Sequence, residues 1–442
     1  MNPTRRPKQA ARRAPAATLP GRGTPACGNV EVEETTMSKR LTLRSLVAAA
    51  ALGLGTIAGV PVAHAQDGQK LTVNVGRLPW GALNSPITQH MIRNRMVEAE
   101  AKQLGYDLTL DWRDYPSAAP QVEAMQAGKL DLGVWGNVPI VRNIATGQPI
   151  HVLALAEGGL NFQIAVPKGS SIRTIEDLKG KRIGTLLGGD PHFYLAMLLK
   201  AHFGNADPTA QGITMIQSPS FTMLASMPKG LDAVTLITPS YLLGLEQKTL
   251  DLLVDNLGRT GDAYEGPQGK GAGHVIPSVK KSDFYPEGYY LHRTMWVGRG
   301  DFVKQHPKVV VAFLTALNRA TQQVSKMNPE AVSDMAKEYW KLPPQQGSII
   351  VKDDLLFKRS WSWLTEGDLR SLVVNSRFMR EAKLLPNELT WDDLVRNVTP
   401  IAPLAREAWE RSQRHPAAEV FTAASRDMRG AVMWDHANFS RK

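Results

Sequence analysis

From residue 71 onward, short apolar runs alternate with stretches whose apolar side chains recur every three or four positions. Runs at 71–76, 108–112, 130–134 and 150–156 read as strands. Between them lie helical patterns. The first starts at a Ser85 cap followed by Pro86 and carries Ile87, Met91, Val97, Ala101 and Leu104 on one face, up to Gly105. Two shorter ones, 119–127 and 139–145, are stopped by Gly128 and Gly147. Such alternation predicts a parallel sheet with helices on its faces. A second run of strands follows at 162–166, 182–187, 214–217, 233–237 and 250–254. Residues 258–290, rich in Gly, Pro and Tyr, have no clear period and read as a long excursion before a return strand at 290–298. The chain then turns helical. Its clearest helix, 308–326, lines up Val310, Phe313, Leu314, Leu317 and Ala320. From Arg414 no period is left, which predicts an extended or loosely docked tail. Two α/β lobes, the second inserted into the first, account for this order.

Open α/β sheets bind ligands beyond the carboxyl ends of their strands. Those ends fall at 80–84, 114–117, 135–137, 157–158, 188–192 and 238–241. The stretch at 181–203 is the most informative, with an apolar strand, a Gly188-Gly189 turn and then a helix. Asp190 is expected to cap that helix, with Pro191 in its first turn and Gly204 at its stop. Backbone N–H groups at such a helix start can receive a ligand.

Composition changes this picture mainly at the front of the chain. The formal charge of +11 over 442 residues is concentrated there: residues 1–65 hold nine Lys/Arg against three Glu, leaving 43 of the 52 basic and 38 of the 41 acidic side chains for the rest. No basic stripe points to nucleic acid. Residues 37–65 have the form of a secretory signal, with Lys39, Arg40 and Arg44, an apolar run from Leu46 to Val60, and Ala63-His64-Ala65 before Gln66. That form predicts a periplasmic protein released by cleavage. Residues 1–36, rich in Arg, Pro and Ala, are expected to be a disordered extension or not translated at all, with Met37 as the start. The single cysteine, Cys27, lies ahead of the signal, so no disulfide and no thiolate chemistry is expected after cleavage. No H-E-x-x-H or clustered His/Cys motif suggests a metal, and no cofactor is expected.

A series of short motifs runs in fixed order along residues 70–410. It begins with Ala124-Met-Gln-Ala-Gly128 and Asp131-Leu-Gly133, then Gly136-Asn-Val-Pro139 and Gly147-Gln-Pro-Ile150. Lys179-Gly-Lys-Arg-Ile-Gly-Thr185 and Gly188-Gly-Asp-Pro-His192 follow, then Asp232-Ala233 with Pro239, and finally the run from Phe302 through His306-Pro307 to Leu314. In this series the chain resembles the substrate-binding proteins of ABC importers in the nitrate/sulfonate/taurine group. The resemblance implies a type II periplasmic binding protein whose two lobes are mixed sheets flanked by helices, with the ligand in the cleft between them. Lobe one would be residues 66–157 and 295–413, lobe two 158–294, and 414–442 a tail. The crossings at 156–162 and 255–295 would act as hinges, with Gly158-Gly159 absorbing rotation. It further implies a monomer that is not an enzyme, with a small-molecule ligand and an ABC permease of the inner membrane as partners. An enzyme resembling the pyrimidine-precursor synthases of the same fold, and a sensory receptor, are the alternatives.

The departures from the family pattern bear on the ligand. The pair of hydroxyl residues that the family offers to an oxyanion aligns with Gly189-Asp190. A strand that carries two tryptophans in many members reads Val234-Thr-Leu-Ile237, and the loop after the second strand reads Arg113-Asp114-Tyr115-Pro116. Asp190 has two compatible readings, a pure helix cap or a partner for a ligand amine or amide. His192 is either a packed imidazole or a ligand contact. Trp80, Trp135 and Trp296 stand near strand ends as candidate aromatic walls, which favour an organic ligand with an apolar or cationic part. Asn137 could present its amide and cap the helix after Pro139. Asn84, Ser117, Glu157 and Thr238 are expected at the cleft from position alone, and Trp361 and Trp363 in the core. The expected ligand is sulfonate-like, or a variant containing an amine, amide or aromatic group.

Overall fold

The computed structural model describes residues 68–158, 162–255, 292–354, 356–357, 360–364 and 366–412. The expected signal, the extension before it, the excursion, the tail and the central parts of both hinge crossings lie outside them.

Ten strands form two five-stranded sheets of matching design. The first contains β1 (Gln69–Arg77), β2 (Tyr106–Asp114), β3 (Leu132–Gly136), β4 (Ile150–Gly158) and β10 (Arg293–Arg299), in the order β2-β1-β3-β10-β4. The second contains β5 (Phe162–Pro167), β6 (Arg182–Thr185), β7 (Thr214–Gln217), β8 (Ala233–Ile237) and β9 (Leu250–Asp255), in the order β7-β6-β8-β5-β9. In each, the first three strands in that order are parallel. The fourth is antiparallel to both of its neighbours. The sheets are therefore mixed, as the family resemblance implies and in place of the parallel sheet that alternation alone predicts. The exceptions have one origin. β5 and β10 are the strands by which the chain enters a sheet on arriving from the other one, and each enters in the reverse direction.

Every residue of β3 and β8 is buried, as expected for strands covered on both faces. On the first sheet, α9 (Pro307–Val324) packs against α1 (Asn84–Arg93), α2 (Met96–Gln103) and α15 (Ala402–Ser412). Val310, Phe313, Leu314, Leu317 and Ala320 are all at most 1% exposed, so the predicted stripe is core. The predicted helix from Ser85 to Gly105 is instead two, broken where Arg95 takes a left-handed φ of 46°. Its N-cap is Leu83, not Ser85, and no side chain caps it. Tertiary burial of both halves evidently outweighs the cost of that turn.

Candidate functional site

Because both sheets present the carboxyl ends of their parallel strands to the same place, the loops from both surround one cavity of about 340 Å³. The first sheet contributes Leu78, Trp80 and Gly81 after β1, and Ser117 at the cap of α3 (Ala118–Gln126). It also contributes Gly136 at the start of α4 (Asn137–Ala145) and Glu157 near the end of β4. The second contributes Leu186–Pro191 ahead of and into α5 (Asp190–Phe203), Gln217 at the end of β7, Phe221, and Ile237 at the end of β8. The reversed strands supply their beginnings: Phe162 from β5, and His292 and Thr294 from β10.

Asp190 does not cap its own helix. The N-cap of α5 is Gly189, and Asp190 is the first helical residue. Its carboxylate instead reaches the first sheet, where Oδ1 accepts the Val138 N–H at 3.0 Å. Val138 lies in the first turn of α4, whose own cap, Gly136, has no side chain to offer. Asp190 therefore does for α4 what a capping residue would do, from the other lobe. Glycine at 136 is required by this contact, since a Cβ there would overlap Asp190 Oδ2 and stand 3.0 Å from His292 Nε2. The His292 Nε2 lies 3.7 Å from Asp190 Oδ1. Its ring packs edge-on against Phe162, centroids 4.6 Å apart. Burial, and then the nearby Arg293 charge, push the His292 pKa down to about 3, so this imidazole is neutral.

Glu157 is 2% exposed and accepts the Thr294 hydroxyl proton on Oε1 at 2.8 Å. Its Oε2, beside Gly81, has no hydrogen bond of ordinary geometry. Burial, and then the charge of Asp354, raise its pKa to about 8 against the pull of Thr294 and of the Ala82 and Asn84 amides. Behind it, Asp354 is raised to about 7, again chiefly by burial. Asp354 accepts the amides of Leu356, Leu83 and Gly158, which ties the start of α1 to the end of β4. Trp80 meets Tyr339 edge-on at 6.3 Å, and its Nε1 is a buried donor without a hydrogen bond.

Of the ten residues expected at the ligand, Trp80, Ser117, Glu157, Gly189 and Asp190 line the cavity. The other five stand elsewhere. Trp135 is fully buried and, like Trp296, belongs to the core; its indole lies with Gln121 on the Gly133 face of β3. Asn137 is fully buried as the first residue of α4, not its cap. Asn84 is buried as the first residue of α1, with its carbonyl accepting the Thr88 hydroxyl. Thr238 accepts the Gln163 side-chain amide at 3.2 Å. His192 accepts the Gly188 N–H on Nδ1 at 3.0 Å and faces an adjoining groove between α5 and α13 (Glu366–Glu381), which shares Arg142 and Leu187–Gly189 with the cavity. Trp363 is core as expected, and Trp361 packs against it half-buried.

Sequence reasoning missed His292, Thr294 and Phe162. The search covered carboxyl ends only, whereas an antiparallel strand brings its amino end to the same edge. The alternation in Leu291-His-Arg-Thr294, read with a reversed direction, would have put His292 and Thr294 on one face. The Asp131-Leu-Gly133 motif proves structural. Asp131 accepts both N–H donors of Asn74 and pairs with Arg299 at 2.7 Å, far from the cavity end of β10.

A model of the family described as NMT1/THI5 like matches residues 101–331, more than half of the chain. The chain belongs to this family. Among its relatives, the taurine-binding periplasmic protein of Escherichia coli (strain K12) is 27% identical over 282 residues, 63% of this chain and 71% of that one. The putative aliphatic sulfonates-binding protein of Bacillus subtilis (strain 168) is 26% identical over 215 residues, 48% of this chain and 55% of that one. The alkanesulfonate-binding protein SsuA from Xanthomonas axonopodis pv. citri, solved bound to MOPS, superposes with a TM-score of 0.54 at 18% identity, over 73% of this chain and 96% of that one. The periplasmic nitrate-binding protein NrtA from Synechocystis PCC 6803 gives 0.52 at 15% identity, over 79% and 90%. The fold is that of the two-lobed periplasmic binding proteins, and the relatives named above are themselves binding proteins.

Proposed function

We propose that this protein is a periplasmic receptor that captures one small organic solute between its lobes and delivers it to the permease of an ABC importer. The observation that carries this reading is the shared cavity, whose wall is built from the facing edges of two similarly ordered sheets. A solute touching both walls favours the closed arrangement, because only there are both sets of contacts made. Lobe one as 66–157 with 295–413, and lobe two as 158–294, fit the membership of the sheets to within a few residues at β10. Trp80, Ser117, Glu157, Gly189 and Asp190 are the proposed contacts, joined by His292, Thr294 and Phe162. A binding role rather than catalysis agrees with the relatives' names, and the single cysteine, Cys27, leaves no thiol chemistry to the residues that line the cavity.

Protein purified from the periplasm without denaturation is expected to carry one small molecule at unit stoichiometry in native mass spectrometry. Cells lacking the gene should lose uptake of that molecule. Uptake unchanged by the deletion, or chemical conversion of the retained molecule by the purified protein, would overturn the proposal.

A further inference from the structure

The cavity between the sheets has an uneven supply of charge. Two carboxyl groups reach its floor, Glu157 from β4 and Asp190 from α5, on either side of β10. Thr294 pairs in register with both Glu157 and Gly136, the residue against which the Asp190 carboxylate packs, so the backbones of Glu157 and Gly136 lie two strand spacings apart, roughly 10 Å. Of the donors beside them, the Thr294 hydroxyl is already given to Glu157, and the Val138 amide to Asp190. His292 is a buried ring next to Asp190 and not a cation. Among the described residues, the one Arg or Lys that lines the cavity is Arg142, and it is exposed at the rim.

We propose that the cleft accepts solutes whose buried end is an ammonium or similar cation, paired with Glu157, and that Asp190 excludes oxyanions by occupying the start of α4. The inference rests on the receptor reading above and adds the charge of the ligand. Glu157 is buried on the cavity wall, its Oε2 has no hydrogen bond of ordinary geometry, and once the carboxyl is ionised a donor-rich cation can pair with it. Trp80 and Phe162 give such a ligand an aromatic wall. An oxyanion approaching the start of α4 meets a carboxylate where free N–H groups would otherwise receive it.

The pairing carries a proton. Glu157 faces Asp354 behind it, with Arg293 and His292 on the adjoining strand and Asp190 beyond, and the balance keeps its carboxyl protonated at neutral pH. A cation bound against it favours the ionised form, so binding releases the proton to solvent. Affinity for a cation then rises with pH until Glu157 is ionised in the empty protein.

Isothermal titration with matched pairs tests this, using benzylamine against benzenesulfonate and butylamine against butanesulfonate. Over pH 6 to 9 alkyl ammonium groups remain largely charged, as lysine does. The amines are expected to bind at least about tenfold more tightly than their sulfonate partners and to gain up to about a hundredfold between pH 6 and 9, as a group titrating near pH 8 ionises. At pH 7 their heats should vary with buffer ionisation enthalpy, as proton release requires. Glu157→Gln should remove the pH dependence and most of the amine affinity, with its thermal midpoint showing that it is folded. Asp190→Ser should raise benzenesulfonate affinity. Sulfonates binding wild type as well as the amines would overturn the proposal while leaving the receptor reading intact. Amine binding indifferent to Glu157→Gln, or no binding by either series, would overturn it as well. The receptor reading itself is decided separately, by the retained solute and the uptake assay.

Discussion

At the Arg299 end of β10, the Asp131 carboxylate receives a guanidinium at 2.7 Å and both N–H donors of Asn74. At the other end, Glu157 is just as buried but has no guanidinium partner: Oε1 takes the Thr294 hydroxyl, Oε2 has no hydrogen bond of ordinary geometry, and the charge that acts on it is that of another acid, Asp354. The strand thus has a finished end and an unfinished one. Where the fold needs a carboxylate, it supplies a cation and well-placed donors; where the carboxyl faces the cavity, the cation is missing and one oxygen has no hydrogen bond of ordinary geometry. An acid kept short of partners away from a cavity would be a defect, since each missing partner costs a buried acceptor about 1–3 kcal/mol. Beside a cavity it is a vacancy for a ligand.

The contrast can be broken at either end. The largest effect is expected for Asp131→Ala, which removes the acceptor of the Asn74 backbone and side-chain N–H groups and leaves Arg299 only Asp301 and the Leu130 carbonyl, at about 1–3 kcal/mol for each donor left unsatisfied. A lower urea midpoint at constant slope would register it. At the cavity end, Glu157→Gln should stabilise the ligand-free protein on the order of a few kcal/mol in alkali and change little near pH 4. The folded protein holds its Glu157 proton up to about pH 8, whereas the unfolded chain releases it near the ordinary 4.5. Wild-type stability therefore declines as pH rises between those values and levels off above them, and the variant should escape that decline. His292 acts on the acid side. Its pKa, lowered to about 3 from 6.5, withdraws stability as pH falls through that interval. Thermal midpoints across pH 3–9 check both limbs.

Smaller effects sharpen the boundary between the two ends. Gly136→Ala forces a methyl group into the Asp190 carboxylate and should cost about 1–3 kcal/mol. In an Asp190→Ala background most of that cost should vanish, a coupling readable in a double-mutant cycle. Thr294→Val keeps the shape and removes the side-chain hydrogen bond to Glu157, which should cost about 1 kcal/mol by thermal melting. A loss from Thr294→Val as large as that from Asp131→Ala would show that the cavity end is built for stability after all.

The fold was legible because its strands are apolar runs between glycine stops, and periodicity reports burial directly. Strand direction was not. Nothing local in β5 or β10 says that they enter reversed, so Phe162, His292 and Thr294 escaped a search confined to carboxyl ends. Asp190 shows a second limit. The Asp-Pro pair reads correctly as belonging to a helix start, but the N–H it satisfies lies 52 positions away, on α4. Trp135 shows a third. It is adjacent to Gly136, and one-residue alternation sends one to the cavity and the other to the core. In α1 and α2 the apolar stripe is continuous across Arg95, so the pattern recorded the buried face and hid the break in the backbone.

The place of β10 also governs the order in which the molecule can be completed. The second sheet draws all five strands from one continuous stretch between Phe162 and Asp255, so its pairings can form as soon as that stretch exists. The first sheet cannot close until Arg293–Arg299 slots between β3 and β4, across a loop that contains the whole second sheet. Assembly is therefore last-in at the centre, and a chain cut short before β10 would hold a finished second sheet beside two unjoined pieces of the first. Thr294 and His292 arrive on that same late strand, so a half-made molecule has no complete cleft with which to sequester a solute.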